Sequence, residues 1–298
     1  MSILNYINID AHYLQVLCID LTTAIVLLFV ARQLLGWSHQ LSTTNERAEK
    51  DNSAYGISLA GILLAIAIIL TGVLSGGASY SLLDEFSSVA SFGLLGLCLL
   101  LFANFVFDKI SMPNLAIPEA IEQGNMAAGL VNAGNLIATA IIIRAVMIWS
   151  GLEGLFGLIA TLCGFVLSQL VLTLVSKYRI KLFNRKNETG FQDAIRGGNL
   201  AVAWRFTGFR LGVALAITAA SGLVEPTGDA LWLPMLLWLM IAVVMFALIA
   251  LLSVLTDKII LAHIDLRNEV DVQQNMAIGV TQAAIMIAIG LVVALLMN

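Results

Sequence analysis

Four asparagines recur in this chain, each with a carboxylate six residues before it: Glu46 and Asn52, Glu119 and Asn125, Asp193 and Asn199, Glu269 and Asn275. A carboxylate and a carboxamide together can bind a cation, and rings of Asp or Glu at a pore mouth select cations. The same residue types also serve plainer ends. An Asn placed just before an apolar run is a good helix N-cap, because its side-chain oxygen accepts from an orphaned backbone N–H. A carboxylate in a polar connection is ordinarily solvated. Two readings follow: four acid–Asn pairs converging near an axis at a channel mouth, or four capped helices with solvated acids beside them.

Each Asn opens a longer pattern, Asn-x-Ala-x-Gly-x-x-x-Ala-Gly, repeated at intervals of 73, 74 and 76 residues (Asn52 to Asn125, Asn125 to Asn199, Asn199 to Asn275). Self-similarity at fixed spacing marks a chain built from copies of one unit. The third copy is looser, with Ala203 and Thr207 where the others have Gly and Ala, and the fourth ends in Ala283-Ala284. The small residues fall four apart on a helix, the spacing that lets two backbones approach closely in a membrane. Gly56, Gly61, Gly129, Gly134, Gly208, Gly212 and Gly279 are therefore expected at helix–helix contacts.

The elements that position these residues are membrane helices. Hydrophobic residues make up 60% of the 298, charged residues 11%, and mean hydropathy is +0.96. A soluble domain carries about 25% charge. Eight apolar runs, near 13–35, 54–76, 86–107, 126–149, 154–176, 199–223, 230–255 and 276–297, are each long enough to cross the hydrocarbon core. In lipid the backbone must satisfy itself, so these runs are helices. The expected fold is an all-α polytopic bundle of eight transmembrane helices in four two-helix units. Two spans per unit return the chain to the same side, so the repeats are parallel. The first run is preceded by no Lys or Arg and exceeds a signal-peptide core in length, so it reads as a retained helix.

Charge sets the expected orientation. Arg32, Arg47, Lys50, Lys109, Lys177, Arg179, Lys181, Arg185, Lys186, Arg196, Lys258 and Arg267 all fall on the side that carries the Asn motifs, whereas the opposite connections hold Asp84, Glu85, Glu153, Glu225 and Asp229. The basic side is expected in the cytoplasm, with both termini outside. Units two and four share Asp-Lys-Ile (108–110 and 257–259) and Asn-Met-Ala, which units one and three lack. The chain thus divides into halves at about 1–150 and 151–298.

Ionisable residues within the apolar runs are functional candidates by default. Asp20 and Arg144 lie at similar depth and are expected to pair. Arg205 lies six residues past Asn199, within reach of Gln169. Arg210 is deeper, matches Leu63, Leu136 and Met286 in the other units, and has no carboxylate at its depth. Cys18, Cys98 and Cys163 sit in three different runs without metal-ligand spacing and read as small packing residues. The basic loop from Lys177 to Arg196 offers a surface for a cytoplasmic protein partner or anionic lipid heads; nothing supports nucleic-acid binding. His12, His39 and His263 are scattered, and no nucleotide-binding, metalloprotease or nucleophile–base signature is present, so neither an enzyme nor a cofactor is expected.

The unit length, the paired spans, Asp-Lys-Ile, the acidic-x5-Asn element and the Asn-x-Ala-x-Gly-x-x-x-Ala-Gly core together resemble the YjfL-like bacterial membrane proteins, domain of unknown function 350, over nearly the whole chain. That resemblance implies a multi-pass protein of the bacterial inner membrane, and relatives of this type are associated with envelope-stress operons. It supplies no mechanism. Two functions remain in view: a non-enzymatic membrane module for envelope maintenance, self-associating or docking partners, and a channel or transporter for a cation or small solute whose cytoplasmic mouth is the acid–Asn repeat.

Overall fold

The computed structural model describes residues 11–38, 51–76, 81–151, 154–225 and 232–297. The described residues contain no strand. The chain runs through α1 (Ala11–Ser38), α2 (Ser53–Val73), α3 (Leu82–Val106), a π turn at Phe107–Ser111, short α4 (Ile117–Glu122), α5 (Met126–Ser150), α6 (Gly154–Lys186), short α7 (Phe191–Arg196), α8 (Leu200–Ser221), α9 (Trp232–Ile260), a π turn at Asn268–Val272, and α10 (Met276–Met297). Eight of these helices are long and apolar enough to cross a membrane.

The apolar runs explain the helices, and local polar residues explain where they stop. Ser81 caps α3 by accepting from Asp84 N. Gly151 ends α5 in the left-handed conformation at φ 73°, which carries no Cβ penalty for glycine. The long helix α6 departs from expectation. Its apolar run stops near residue 176, but its 33 residues extend about 50 Å at 1.5 Å per residue, past a hydrocarbon core of about 30 Å. The basic stretch from Lys177 to Lys186 is therefore helix projecting beyond the apolar layer, not loop; the cations rise along it into the polar zone.

The second helices of the four units, α2, α5, α8 and α10, pack side by side in that order. Their contacts advance together along both partners. Ala54 meets Gly129 and Gly61 meets Ala133 between α2 and α5, while Ala201 meets Gly279 and Gly208 meets Ala283 between α8 and α10. The four helices thus run parallel, as two spans per unit require. The first helices flank this row: α1 packs on α3 and α2, α3 on α5, α6 on α5, and α9 on α8 and α10. Among the eight spans α5 and α8 are the most buried, and α1 and α9 expose most of their length. The outward faces carry residues such as Ile25, Phe29, Leu170, Leu174, Val243 and Val244, as expected where the solvent is lipid.

A register rule underlies the row. Gly129 and Gly279, four residues after their Asn, face the preceding unit, and Gly61, Gly134 and Gly208, nine residues after theirs, face the following one. A Cβ on Gly129 would stand 2.5 Å from Ala54 O, and one on Gly61 2.5 Å from Ala133 Cα. Such contacts require glycine. Gly134 faces Thr207 across α5 and α8, and Gly212 faces Met286 of α10. Gly56 corrects the packing expectation. It is exposed, with nothing within 4 Å of a Cβ built there, because no helix of the described residues packs on that face. At the other end Ala284 is exposed for the complementary reason. The cysteines are a second correction. All three are exposed on the helix surface, where lipid accepts a small apolar side chain without protein contact.

Candidate functional site

The repeated asparagines all do the same local work. Asn52, Asn125, Asn199 and Asn275 accept at Oδ1 from Tyr55 N (3.0 Å), Ala128 N (3.0 Å), Val202 N (3.0 Å) and Ile278 N (3.5 Å). Each caps the helix it opens. The carboxamide nitrogen then reaches into the next unit. Asn52 Nδ2 donates to Ile121 O (2.8 Å) and Glu122 O (3.2 Å) at the end of α4. Asn125 Nδ2 donates to Ile195 O (2.9 Å) and Arg196 O (3.0 Å) at the end of α7. Asn199 Nδ2 points to Val270 O (3.5 Å) in the second π turn. One side chain therefore supplies an orphaned donor with an acceptor at one helix start and supplies orphaned carbonyls with a donor at the neighbouring short helix. Asn275 differs: its Nδ2 donates to Glu269 Oε2 of its own unit at 2.7 Å.

The residue before each Asn has a left-handed backbone: Asp51 (φ 43°), Gly124 (φ 82°), Gly198 (φ 82°) and Gln274 (φ 57°). This turn aims the cap. Sequence reading missed it, although the glycines at 124 and 198 were a signal.

The carboxylates of the motif are less uniform. Glu46 lies outside the described residues, as do Arg47, Lys50, Glu153 and Asp229. Glu119 is exposed near the start of α4. Asp193 pairs with Arg196 Nη1 at 2.6 Å, and Arg196 Nη2 donates to Asn114 O. Glu269 holds Asn275. The asparagines thus string along a row, the first three each tied to the following unit and Asn275 to its own. Near the third, a cavity of about 800 Å³ opens on the Asn face, bordered by Asp193, Asn199, Lys186, Arg267 and Asp271.

The charges inside the spans form a second constellation. Arg210 is 1% exposed. Its Nη1 donates to Ser176 Oγ of α6 (2.7 Å), its Nη2 donates to Asn135 Oδ1 of α5 (2.5 Å), and its guanidinium lies 4.6 Å from the Phe107 ring centroid. Asn135 Nδ2 continues to Asn104 Oδ1 of α3 (3.3 Å), and Asn104 Nδ2 to Asp108 Oδ2 (3.5 Å). Neutral acceptors and an aromatic face stabilise this cation; it forms no ion pair among the described residues. The network crosses α3, α5, α6 and α8. Chemically it is a polar bridge between the first two units and the last two. Nearby, Asn132 Nδ2 donates to Ser58 Oγ (2.8 Å), and in unit four Gln282 Nε2 donates to Asp257 Oδ2 (3.1 Å).

Two expected pairings are replaced. Arg144 does not pair with Asp20; its Nε donates to Thr71 Oγ1 at 3.0 Å, both residues standing nineteen places after their unit's Asn. Asp20 Oδ1 is buried without a hydrogen-bond partner among the described residues. Arg205 does not use Gln169. It pairs with Asp271 of the second π turn, whose other oxygen takes Asn187 Nδ2 at 3.1 Å. Depth along the sequence could not reveal Asp271, which is brought in from the last connection. No cluster of three or more His, Cys, Asp or Glu able to hold a metal occurs among the described residues.

Comparison with known proteins places this architecture. The family model Domain of Unknown Function (DUF350) matches residues 9–147 and again 151–297. A UPF0719 transmembrane protein of Aquifex aeolicus (strain VF5) is 25% identical over 129 residues, 43% of this chain and 48% of that protein, so the match spans about half of the relative's length. No solved structure matches. With two copies of the family model covering nearly its whole length, this chain belongs to the DUF350 family, whose function is unknown.

Proposed function

We propose that the chain is a non-enzymatic module of the bacterial inner membrane that serves envelope maintenance, built of two like halves, 1–150 and 151–298, with the Asn face in the cytoplasm and both termini periplasmic. One observation carries the reading: the asparagines of units one to three and most of the repeated small residues hold successive units together. Each described Asn caps one helix and ties down a neighbouring segment, and the glycines bring backbones into contact. The cation count on the Asn face supports the orientation. The basic stretch from Lys177 to Arg196 suits a cytoplasmic protein partner. Self-association is supported by the two ends of the row, where Gly56 and Ala60 of unit one and Ala277 and Ala284 of unit four stay exposed at positions that are contacts inside the chain. The envelope role itself rests on the family resemblance.

A second reading, a cation channel or transporter, is favoured by the cavity beside Asp193 and Asn199. One experiment separates the two. Purified protein in liposomes is tested for potassium, sodium and proton flux, with Glu119→Gln and Glu269→Gln as variants. The module reading expects no flux above protein-free liposomes. Flux that disappears in both variants would replace it with the channel.

A further inference from the structure

A second, smaller cavity of about 190 Å³ lies between the projecting end of α6, the start of α8 and the last connection. Arg179, Lys186, Arg205 and Arg267 line it, with Asp271 as its one carboxylate and Asn187 beside it. Both oxygens of Asp271 are engaged, Oδ1 by Arg205 and Oδ2 by Asn187. That arrangement fixes Arg205 in the wall and leaves Arg179, Lys186 and Arg267 without an ion-pair partner among the described residues. Arg179 and Arg205 line the same cavity, with Asp271 the one carboxylate among their charges and those of Lys186 and Arg267. Arg179 is steadied from outside the cavity, its guanidinium lying 5.4 Å from the Phe209 ring centroid.

The position is as informative as the charge. Arg205 is about 9 Å along its helix from the Asn face, at 1.5 Å per residue. Arg179 lies just past the end of the apolar run of α6, after Lys177 and the exposed Tyr178; an aromatic ring with a polar tip belongs at the headgroup level of a bilayer. Like charges held together at that level, with guanidinium forks suited to phosphate oxygens, favour an anion between them. We infer that this cavity is a binding site for a phosphate-bearing anion, the headgroup of an anionic lipid or a soluble phosphate. It goes beyond the module reading and holds whether or not the protein conducts.

The test uses the chain 1–298 purified in neutral detergent. Retention of phosphatidylglycerol and of phosphatidylcholine is measured by native mass spectrometry, and inorganic phosphate is titrated calorimetrically. Each basic residue near a headgroup contributes about fivefold in affinity. Arg179→Gln and Arg267→Gln should each weaken phosphatidylglycerol retention by about that factor. Lys181→Gln, on the same helix but outside the cavity, should leave it unchanged. Preference of the unsubstituted protein for phosphatidylglycerol needs no variant to fold and identifies a lipid. Phosphate binding with the same dependence on Arg179 and Arg267, and no headgroup preference, identifies a soluble occupant. Equal retention of both lipids with no phosphate binding overturns the site. So does equal weakening by Lys181→Gln.

Discussion

The seam inside each half and the seam between the halves are built differently. Within the halves, α2 meets α5 and α8 meets α10 through reciprocal glycine contacts: Gly61 on Ala133 and Gly129 on Ala54, then Gly208 on Ala283 and Gly279 on Ala201. Between the halves, α5 meets α8 with Gly134 opposite Thr207, and Ala203 where the other copies have glycine. This middle seam is hydrogen-bonded. Thr207 Oγ1 donates to Leu130 O (3.3 Å), Arg210 to Asn135 (2.5 Å), and Trp149 Nε1 to Val224 O (2.6 Å). In lipid there is little hydrophobic drive between helices, so close packing and hydrogen bonds are what remain. Glycine contacts fit any similar helix. Directed polar contacts fit one partner. The α2–α5 seam adds two directed bonds of its own, Asn132 to Ser58 and Arg144 to Thr71, so the contrast is sharpest between the α8–α10 seam, made of small-residue contacts, and the middle seam, where Arg210 and Thr207 fix which units are neighbours.

Three glycine substitutions along the row would break this contrast most sharply. Gly129→Ala drives a Cβ into the Ala54 carbonyl, a backbone atom that cannot move without its helix, and should lower stability by about 3 kcal/mol. Gly134→Ala meets the side chain of Thr207, which can adjust, so about 1 kcal/mol is expected. Gly56→Ala meets nothing and should stabilise the helix by roughly 0.5–1 kcal/mol. Thermal unfolding in detergent, monitored by circular dichroism, gives the order. Equal losses at 129 and 134, or a loss at 56, would refute the register rule.

The middle seam is tested by a double-mutant cycle. Arg210→Met strips Asn135 of its donor and should cost about 2 kcal/mol. Asn135→Leu leaves a buried guanidinium short of an acceptor and should cost about 3 kcal/mol or more. The pair together restores an apolar contact and should lose less than the sum, with a coupling of about 2 kcal/mol. The same variants sharpen the comparison when the halves are expressed as two chains, 1–150 and 151–298. Co-purification should fail with Arg210→Met if the polar seam selects the neighbour.

How much of this was legible beforehand depends on what each feature rests on. The eight spans were readable because a bilayer demands long apolar runs, and the unit order was readable because four asparagines recur at near-constant spacing. Capping by Asn52, Asn125, Asn199 and Asn275 is a local event, and local chemistry predicts it. Their second bonds run to residues some seventy positions away, and only the packing of units shows them. Asp271 was invisible as the partner of Arg205 for the same reason. Asn104 and Asn135 were different: two carboxamides inside apolar runs were themselves a signal, one that attention to charged residues passed over. The length of α6 was misread because hydropathy marks where lipid ends, and a helix need not end there.

The row has a start, a middle and an end, and the asparagines make the difference measurable. Asn125 satisfies its own helix and two carbonyls of the next unit, at 2.9 and 3.0 Å. Asn125→Ala removes a cap and orphans those carbonyls, so a loss of about 2 kcal/mol is expected, the upper end for an N-cap. Asn275 binds within its own unit, through a longer cap of 3.5 Å and a bond to Glu269. Asn275→Ala therefore breaks nothing between units and should lose about 1 kcal/mol or less. Hydrogen exchange adds a readout that overall stability lacks. In Asn125→Ala, protection should fall in α7 as well as at the start of α5, because the lost donor served Ile195 and Arg196; in Asn275→Ala it should fall only around residues 269–278. Loss confined to the substituted helix in both variants would reduce the repeat to four independent caps, and the order of the units would then rest on the glycine contacts and on side-chain bonds such as those of Arg210, Arg205 and Asn132.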